Sequence, residues 1–388
     1  MIIENQLTME EKLLQQSIRD FIRHKIAPIA DDYDRRGPMQ KNEAHGFIKQ
    51  LVPFGLVGAT VAEALGGPGL THRESAVAYY ELTKTWMSLS GIVLITSSIA
   101  WAVASSQNQS LIDNYLKGLL NGDLIGCFAL TEPDAGSDPS SIQTTAVDEG
   151  DHYLVNGTKL WISNGEISDL CLCICRESDA AGGAKGILAL LVDRRQSPYT
   201  TRNIHKLGFK AFPTSELVFT DCKVPKNNVL YASTDGFAFA QRALIYARIN
   251  AAIASCAIAE ASLEKAVAYA RERVQFGAPI GKKQMIQQLI AEMMIELEAG
   301  KLMSLRSIED LDQGILSQLH SSIAKAYATE MGVRVTSKAI QIFGAYGLAE
   351  DYPLERYFRD ARMLTIPDGS TQIQYLIIAR KALKINAL

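Results

Sequence analysis

Residues 130–138 read LTEPDAGSD and lie where a long helical pattern gives way to short β-prone runs. Two hydroxyl side chains, two small residues and the backbone amides of such a turn can hold a polar planar ring or a phosphate. Proline, glycine and aspartate also dominate ordinary surface turns. The segment alone therefore does not distinguish a ligand-binding turn from an ordinary surface turn, and the rest of the sequence is needed to do so.

The spacing of hydrophobic residues divides the 388-residue chain into three parts. Apolar residues recur at three- and four-residue steps in the first and last parts, which predicts helices. The middle part has short β-prone runs, with a hairpin signal at Asn156-Gly157, a turn signal at Asn164-Gly165 and no helical crossover between strands. We therefore predict a mostly α fold with an N-terminal helical domain over 1–123, a middle antiparallel β domain or small barrel over 124–232, and a C-terminal helical bundle over 233–388.

Composition and charge exclude several classes of protein. The formal net charge of -3 gives no bias toward nucleic acid or anionic membranes. Residues 86–104 carry no charge but include five serines and threonines, so we expect a buried helix rather than a membrane span. The first residues are acidic and precede no apolar run, so they do not have the pattern of a signal peptide.

The cysteines predict a buried strand rather than a disulfide framework or a metal site. Cys171, Cys173 and Cys175 alternate, which places them on one face of a strand, where cysteine packs as a small hydrophobe. No second cluster with turn-spaced ligands accompanies them, so we expect no metal. Six cysteines in so long a chain are typical of a reducing cytoplasm.

Three further segments combine turns with side chains that suit a cofactor. Residues 156–165, NGTKLWISNG, put an aromatic ring and a hydroxyl beside a turn. Residues 271–277, RERVQFG, close a helix with cations that either complement the helix dipole or meet a pyrophosphate. Residues 362–374, RMLTIPDGSTQIQ, place an Asp-Gly turn before a helix, and Asp368 is there either a turn residue or a functional carboxylate.

Taken together and in this order, LTEPDAGSD, LWISNG, RVQFGAPIG and FGAYG…RYFRDAR…DGSTQIQ resemble the acyl-CoA dehydrogenase family. The resemblance implies an N-terminal helical domain, a middle β domain and a C-terminal four-helix bundle, with FAD extended between the last two. It also implies that some FAD contacts come from a neighbouring subunit of a homotetramer, with Arg273 and Phe276 in that role. The side chains that the resemblance places at FAD are Phe128, Leu130, Thr131, Trp161, Ser163, Arg273, Phe276, Gln284, Gln341, Ala345, Ser370 and Gln372.

The resemblance also implies a reaction. A carboxylate, here Asp368, would remove a proton α to a thioester carbonyl while the β hydrogen leaves as hydride to flavin N5. A ribityl hydroxyl of FAD and the backbone N–H of the base residue would stabilise the carbonyl oxygen. Ser137 would lie near the thioester tail. Arg248 matches the family's arginine in that region, although an ion pair within its own helix would also explain it.

The chain departs from the family at the base. The commonest base is a glutamate, and Asp368 is shorter by one C–C bond of about 1.5 Å. A misplacement of about 1 Å can cost on the order of 100-fold in rate. A minority of members carry the glutamate on the bundle helix, where this chain has Tyr246 and Ala247. Pro367 replaces a common tyrosine, and the loop 210–214, which often meets the carrier of the acyl group, is unusually apolar here.

Four functions remain open at this point. The first is dehydrogenation of an acyl-CoA, and the second is the same reaction on an acyl or aminoacyl group tethered to a carrier protein. The third is a flavin oxidase of the nitroalkane oxidase type, a relative that uses aspartate as its base. The fourth is a non-catalytic flavin-binding scaffold. The partners that the resemblance implies are the thioester substrate, an electron acceptor such as electron-transferring flavoprotein, and further copies of this chain.

Overall fold

The computed structural model describes residues 7–179 and 183–385. Helices occupy both ends of the chain and strands its middle, which confirms the predicted fold class. The helices are α1 Met9–Phe21, α2 Ala30–Arg36, α3 Lys41–Leu51, α4 His72–Thr85, α5 Met87–Ala104, α6 Gln109–Leu111, α7 Lys117–Leu120, α8 Gly236–Glu272, α9 Gln284–Asp312, α10 Gln318–Phe343, α11 Leu354–Leu364 and α12 Thr371–Leu383. The strands are β1 Gly126–Ala129, β2 Thr145–Asp148, β3 His152–Ser163, β4 Leu170–Ser178, β5 Ala184–Asp193, β6 Thr200–Asn203, β7 Thr214–Pro225, β8 Val229–Tyr231, β9 Val274–Gln275 and β10 Ala278–Pro279.

The N-terminal helices form one side of the site. Helix α4 begins with a capping box, in which Glu74 N–H donates to Thr71 Oγ1 at 3.1 Å and Thr71 N–H donates to the Glu74 carboxylate at 2.8 Å. Trp86 is extended and fully buried between α4 and α5, so it fixes the angle at which the two helices meet. Helix α5 ends at Ala104, and the following turns are α6, a π-helical segment and α7.

Within residues 7–179 and 183–385, helices α5 and α8 are long and apolar enough to cross a membrane by length and composition alone. In each, 67% of the most apolar window is buried inside the protein. Helix α5 packs against α4 and against β1 of the sheet. This is the arrangement expected above for residues 86–104, a helix covered by neighbouring elements.

The middle of the chain forms one main sheet with the strand order β6-β7-β3-β2-β4-β5-β8, and β1 also pairs with β4. The prediction of a purely antiparallel sheet is wrong, because β1 and β2 both run parallel to β4. They lie end to end along one edge of β4. Parallel strands need a long connection between them. Here the chain returns from β1 to β4 through β2 and β3, and from β2 to β4 through β3, without an α-helix in between. Among the described strands β6 and β8 remain edges, so hydrogen bonding does not close a barrel.

The hairpin predicted at Asn156-Gly157 is also wrong. Both residues lie inside β3, at a register shift against β7. Gly157 has φ +149°, and a Cβ there would come within 2.7 Å of the Thr144 backbone. Glycine is required at this point by the close approach of a neighbouring strand rather than by a turn. The second turn signal, Asn164-Gly165, is confirmed at the end of β3.

The three alternating cysteines of β4 lie on one buried face, as predicted. The opposite face of β4, formed by Leu170, Leu172 and Ile174, packs in a second cluster with side chains of α5, α7 and α8. The sheet is therefore covered by helices on the side that faces the site.

The C-terminal helices form the bundle. Helices α8, α9 and α10 pack against one another, and α11 and α12 pack against α10. Small residues permit close approach, since a Cβ on Gly332 of α10 would lie 3.3 Å from Ser255 of α8. Helix α11 was not predicted from the hydrophobic pattern. Its role is to lead the chain into the turn that carries Asp368.

Candidate active site

The Asp368 turn connects α11 to α12 and is held by its backbone. Asp368 has φ +60° and Gly369 has φ +90°, and aspartate tolerates this left-handed region better than most residues. Arg248 Nε donates to the Asp368 carbonyl at 3.2 Å. Gln374 Nε2 donates to the same carbonyl at 3.2 Å and to the Gly369 carbonyl at 2.8 Å, and Lys325 Nζ also donates to Gly369. All three donors are buried and bind main-chain oxygens of the turn, and the Asp368 carboxylate itself accepts no hydrogen bond from the described residues.

The charges behind the turn tune the carboxyl group. Burial raises the pKa of Asp368, and the cations Lys325 and Arg248 oppose that rise. Burial also lowers the pKa of Lys325 to about 8 and lowers that of Arg248. Asp368 is thus a carboxyl group whose pKa is shifted toward neutrality, as a general base requires.

Two polar groups near Asp368 are left open. The backbone N–H of Asp368 donates to no acceptor among residues 7–179 and 183–385. Arg248 Nη1 is buried and likewise has no partner in the described part of the chain. Tyr79 of α4 faces the same region, because the Asp368 charge adds to the effect of burial in raising the pKa of its phenol. Buried donors without partners mark a place where a ligand can accept hydrogen bonds.

A second group of predicted residues forms an aromatic and hydroxyl surface at the end of β3. A register shift between Lys159 and Ile162 bulges the strand, and Trp161 there has φ +63° and is 52% exposed. Leu160 N–H donates to the Thr131 carbonyl at 2.8 Å, which brings Thr131 beside this bulge. Ser163 is half-buried and pairs with β7. Phe128 is also half-buried and packs on the helix side of the sheet.

A buried ion pair supports this surface from below. Lys159 Nζ lies 2.7 Å from Glu132 Oε1 and donates to the Leu130 carbonyl at 3.0 Å. The Glu132 carboxylate accepts from the backbone N–H groups of Gln143 and Thr144 at 2.5 and 2.9 Å. The start of the LTEPDAGSD turn is therefore tied to β3, and Glu132 also holds the segment that leads into β2. Ser137, at the tip, is exposed, and no described contact joins it to Asp368 or Arg248.

The Asn164 turn connects the β3 surface to the helices. Asn164 is buried, and its Nδ2 donates to the carbonyls of Ile92 in α5 and Gly126 in β1 at 3.0 and 3.1 Å. Near the start of α5, Ser90 Oγ lies 2.6 Å from Thr83 Oγ1, and both side chains neighbour the Tyr79 phenol. The start of α5 thus contacts the Asn164 turn at the end of the Trp161 surface and also the residues beside the Asp368 turn, and it links the two.

The remaining predicted cofactor contacts lie elsewhere on the molecule. Arg273 and Phe276 follow the C-terminus of α8, about 37 Å along the helix from Arg248 at 1.5 Å per residue. Phe276 is 94% exposed, and Arg273 lies 5.6 Å from the ring centre of Tyr346. Within one chain these residues do not meet the Asp368 turn. Gln284, Gln341 and Ala345 are also exposed, whereas Ser370 and Gln372 adjoin the turn itself.

Sequence reasoning missed the residues that hold the turn. Lys325 and Gln374 were not singled out, and neither was the Glu132–Lys159 pair. The position of Lys325 could have predicted its burial. It shares a face of α10 with the small residues Ser321, Ser322 and Thr329, and that face is buried. A lysine on such a face is fully buried only when it has a specific partner.

Two cavities adjoin α8 near Arg248. One, of about 510 Å³, is lined by Ile245, by the cations Arg242 and Lys381, and by the start of α10. The other, of about 90 Å³, lies between α4, α5, α8 and α9 and is lined by Tyr79, Tyr246 and Ile249, among others. The lining residues of the two cavities follow one another in the sequence of α8, and Arg248 lies within the stretch that lines the smaller cavity. The arrangement suits an elongated ligand that follows α8 past Arg248, the residue that binds the Asp368 carbonyl.

The site brings together a flat aromatic and hydroxyl surface and a carboxylate turn backed by cations. This combination defines a protein that holds a planar cofactor beside a proton-transfer group. Three domain descriptions match the chain: the acyl-CoA dehydrogenase N-terminal domain over residues 8–123, the middle domain over 127–222 and the C-terminal domain over 234–383. The chain therefore belongs to the acyl-CoA dehydrogenase family, whose members are FAD-dependent oxidoreductases acting on CH–CH groups.

Individual relatives agree with this assignment. The chain is 34% identical over 385 residues to glutaryl-CoA dehydrogenase of Desulfococcus multivorans, and the match covers 98% of each chain. It is 34% identical to the short-chain specific acyl-CoA dehydrogenase of Clostridium acetobutylicum, covering 97% of this chain and 98% of the relative. Among solved structures, butyryl-CoA dehydrogenase from Megasphaera elsdenii superposes with a TM-score of 0.92 at 32% identity, covering 98% of this chain and 100% of that one.

The residues of the site fit FAD. Trp161 is held outward by the bulge at the end of β3, with Thr131 and Ser163 beside it, so a flat ring could stack on the indole and bond to neighbouring hydroxyls. The start of α5 contacts this surface through Asn164 and the neighbourhood of the Asp368 turn through Tyr79. Trp161, Thr131 and Ser163 would hold the flavin ring, with Ser370 beside the turn as a further contact.

Proposed function

We propose that this protein is an α,β-dehydrogenase of an acyl thioester and that Asp368 is its catalytic base. The observation that carries the proposal is the Asp368 turn, whose carbonyls are bound by Arg248, Lys325 and Gln374 while its carboxyl group and N–H are left to a ligand. A purely structural turn residue would not need two buried cations behind it, because burying charge is costly.

The chain's own residues account for the proton transfer. The Asp368 carboxylate takes the α proton of the acyl group, and burial raises its pKa toward the working range of a general base. The free N–H of Asp368 would donate to the thioester carbonyl oxygen, where negative charge develops. When bound, FAD supplies the acceptor for the β hydride at its N5. The net reaction removes one proton and one hydride and leaves a carbon–carbon double bond.

The larger cavity supports a phosphate-bearing thioester carrier. Arg242 and Lys381 line it at one end of the ligand path, and cations at such a position suit the phosphates of a nucleotide or phosphopantetheine arm. Loop 210–214 gives no support for either carrier, because Phe212 is buried and packs against Gly91 of α5. We propose coenzyme A as the carrier, in line with the names of the relatives, and treat carrier-protein thioesters as an outcome of the test.

The exposed group at the end of α8 supports a homo-oligomer. Phe276 and Arg273 are presented to solvent at a short hairpin formed by β9 and β10. Their contacts among the described residues are limited to surface side chains such as Tyr346 and Lys283. We propose that they contact FAD bound to a neighbouring subunit of a homotetramer. We also propose an electron-transferring flavoprotein as the electron acceptor and the cytoplasm as the location, which the six free thiols support.

Anaerobic bleaching of the flavin by thioesters tests the proposal. Wild-type holoprotein should lose its oxidised-flavin absorbance when mixed with an acyl-CoA, and Asp368→Asn should retain FAD but lose at least about 100-fold in bleaching rate. The control is Asp351→Asn, an exposed aspartate, which should bleach like the wild type. Equal rates for Asp368→Asn and wild type would remove Asp368 from the mechanism.

The same experiment separates the other functions. If only carrier-protein thioesters bleach the flavin, the carrier of the acyl group is a carrier protein and not coenzyme A. Rapid re-oxidation by oxygen with stoichiometric peroxide would favour a nitroalkane-type oxidase. A flavin that stays yellow with every thioester and nitroalkane would indicate a binding scaffold.

A further inference from the structure

The smaller cavity lies where the far end of an acyl chain would reach. Its wall includes Tyr79, which senses the Asp368 charge, and Ile249, which follows Arg248 in α8. It shares no lining residue with the cationic cavity and is lined by four helices and the turn at residues 58–60. A thioester whose α-carbon sits at Asp368 and whose carrier occupies the larger cavity would place its alkyl end here.

The wall of this cavity is unusually polar for a pocket that receives an alkyl chain. The imidazole of His72, the hydroxyls of Ser75 and Tyr246 and the amide of Asn250 all line it and are half-buried. None of these four side chains makes a hydrogen bond to another residue within the described ranges. An apolar chain that displaced water from them would leave four polar groups without hydrogen-bond partners, which is unfavourable.

Charge decides which polar group suits the cavity. Among its lining residues in the described chain there is no lysine, arginine, aspartate or glutamate. A carboxylate would therefore lack a cation, and an ammonium group would lack an anion. Burial lowers the pKa of His72, with Asp312 opposing, so the imidazole is neutral at pH 7 and can either donate or accept. A neutral hydroxyl group can both donate a hydrogen bond to these uncharged side chains and accept one from them.

The volume sets the length. The cavity measures about 90 Å³, and a cavity of roughly 150 Å³ accommodates the six carbons of benzene. By proportion it holds about four non-hydrogen atoms. Trp101 and Tyr246, with ring centres 4.9 Å apart, close one side and leave no path for a longer chain between them.

We propose that the acyl group taken by this site is short and carries a hydroxyl group at its far end, an inference that rests on the proposed function. His72 and Asn250 bind that hydroxyl as specificity-determining residues, with Ser75 and Tyr246 beside them. The reaction at the α and β carbons is unchanged, and no further group is oxidised.

Two isosteric thioesters test this inference: 4-hydroxybutanoyl-CoA and pentanoyl-CoA, in which a methyl group replaces the hydroxyl. In anaerobic flavin bleaching, the hydroxylated thioester should react at least about 100-fold more efficiently, because a site built for a hydroxyl rejects the analogue that lacks it. His72→Phe and Asn250→Leu should each reduce this preference to below about 10-fold. His24→Phe makes the same chemical change at an exposed position and should leave the preference intact.

Calorimetry gives a second readout that does not depend on turnover. With the Asp368→Asn holoprotein, 4-hydroxybutanoyl-CoA should bind at least about 10-fold more tightly than pentanoyl-CoA or succinyl-CoA, and His72→Phe in that background should abolish the difference. Equal or tighter binding of pentanoyl-CoA or succinyl-CoA overturns the inference while leaving the dehydrogenase proposal intact. If no thioester bleaches the flavin, the proposed function fails. The relative affinities measured by calorimetry then still decide whether the cavity binds a hydroxyl group in preference to a methyl or carboxylate group.

Discussion

Replacing Lys325 by methionine should make the protein more stable and its base less effective. Lys325 is fully buried, and its pKa is lowered from the ordinary value of 10.5 to about 8. At about 1.36 kcal/mol per pH unit, keeping this group charged at pH 7 costs ~3 kcal/mol of folding free energy. Methionine removes that cost and loses one hydrogen bond worth about 1 kcal/mol. The net expectation is a gain of ~2 kcal/mol, seen as a rise of a few degrees in the Tm of the holoprotein.

The pH dependence of that gain has a definite sign. A lysine whose pKa is depressed in the folded state binds fewer protons there than in the unfolded chain. Stability of the wild type therefore rises as the pH increases through about 8 toward 10.5. The Lys325→Met variant should lack this rise, so the difference in Tm between the two proteins should shrink above pH 8.

The catalytic effect runs in the opposite direction. Lys325 lowers the pKa of Asp368, and an opposite charge at close range is worth about 1–3 pH units. In Lys325→Met, the pH at which flavin bleaching reaches half its plateau should rise by at least about 1, with a lower rate at pH 7. The control is Lys338→Met on the same helix, whose charge pairs with Glu292 and Glu296 at 2.8 and 2.7 Å instead. An unchanged bleaching profile in Lys325→Met, with FAD bound and Tm raised, would show that Lys325 does not act on the base.

Three further substitutions probe other parts of the site. Asp368→Glu should slow bleaching by up to about 100-fold if the turn is positioned for the shorter side chain, and an equal rate would show that it is not. Lys159→Met should cost about 3–5 kcal/mol and weaken FAD binding, because it leaves the Glu132 carboxylate buried without its cation, and wild-type FAD retention on heating would contradict this. Burial raises the pKa of Asp360 to about 7, so the folded wild type keeps this proton between pH 4 and 7 and should lose stability as the pH rises through that range. Asp360→Asn should not show this loss. Parallel Tm-against-pH curves for the variant and the wild type would refute the assignment.

Much of the site could be predicted because turns and cofactor motifs are local in sequence. The LTEPDAGSD and DGST segments carry their own turn chemistry, and Asp368 and Arg248 do meet across the bundle. The donors behind the turn could not be predicted in the same way. Lys325 and Gly369 are 44 residues apart, and a single lysine in a helix is normally a solvated residue.

The errors in the middle domain have a related cause. Asn-Gly often marks a hairpin because glycine can adopt the backbone angles of a tight turn. At Asn156-Gly157, glycine is present for another reason, since a larger residue would collide with Thr144. The parallel pairing of β1 and β2 with β4 depends on which edge of β4 the other strands leave free, which is a property of the assembled sheet. Periodicity along one segment contains no information about either.

The contacts to the Asp368 turn have a consequence for how such sites can diverge. Arg248, Gln374 and Lys325 all bind main-chain oxygens, which every amino acid possesses. Exchanging aspartate for glutamate at this position would then alter the reach of the acid without relocating the loop that bears it. Descendants of one ancestral protein could in this way adjust to differently shaped substrates through a single codon, while the scaffold around the base stayed the same.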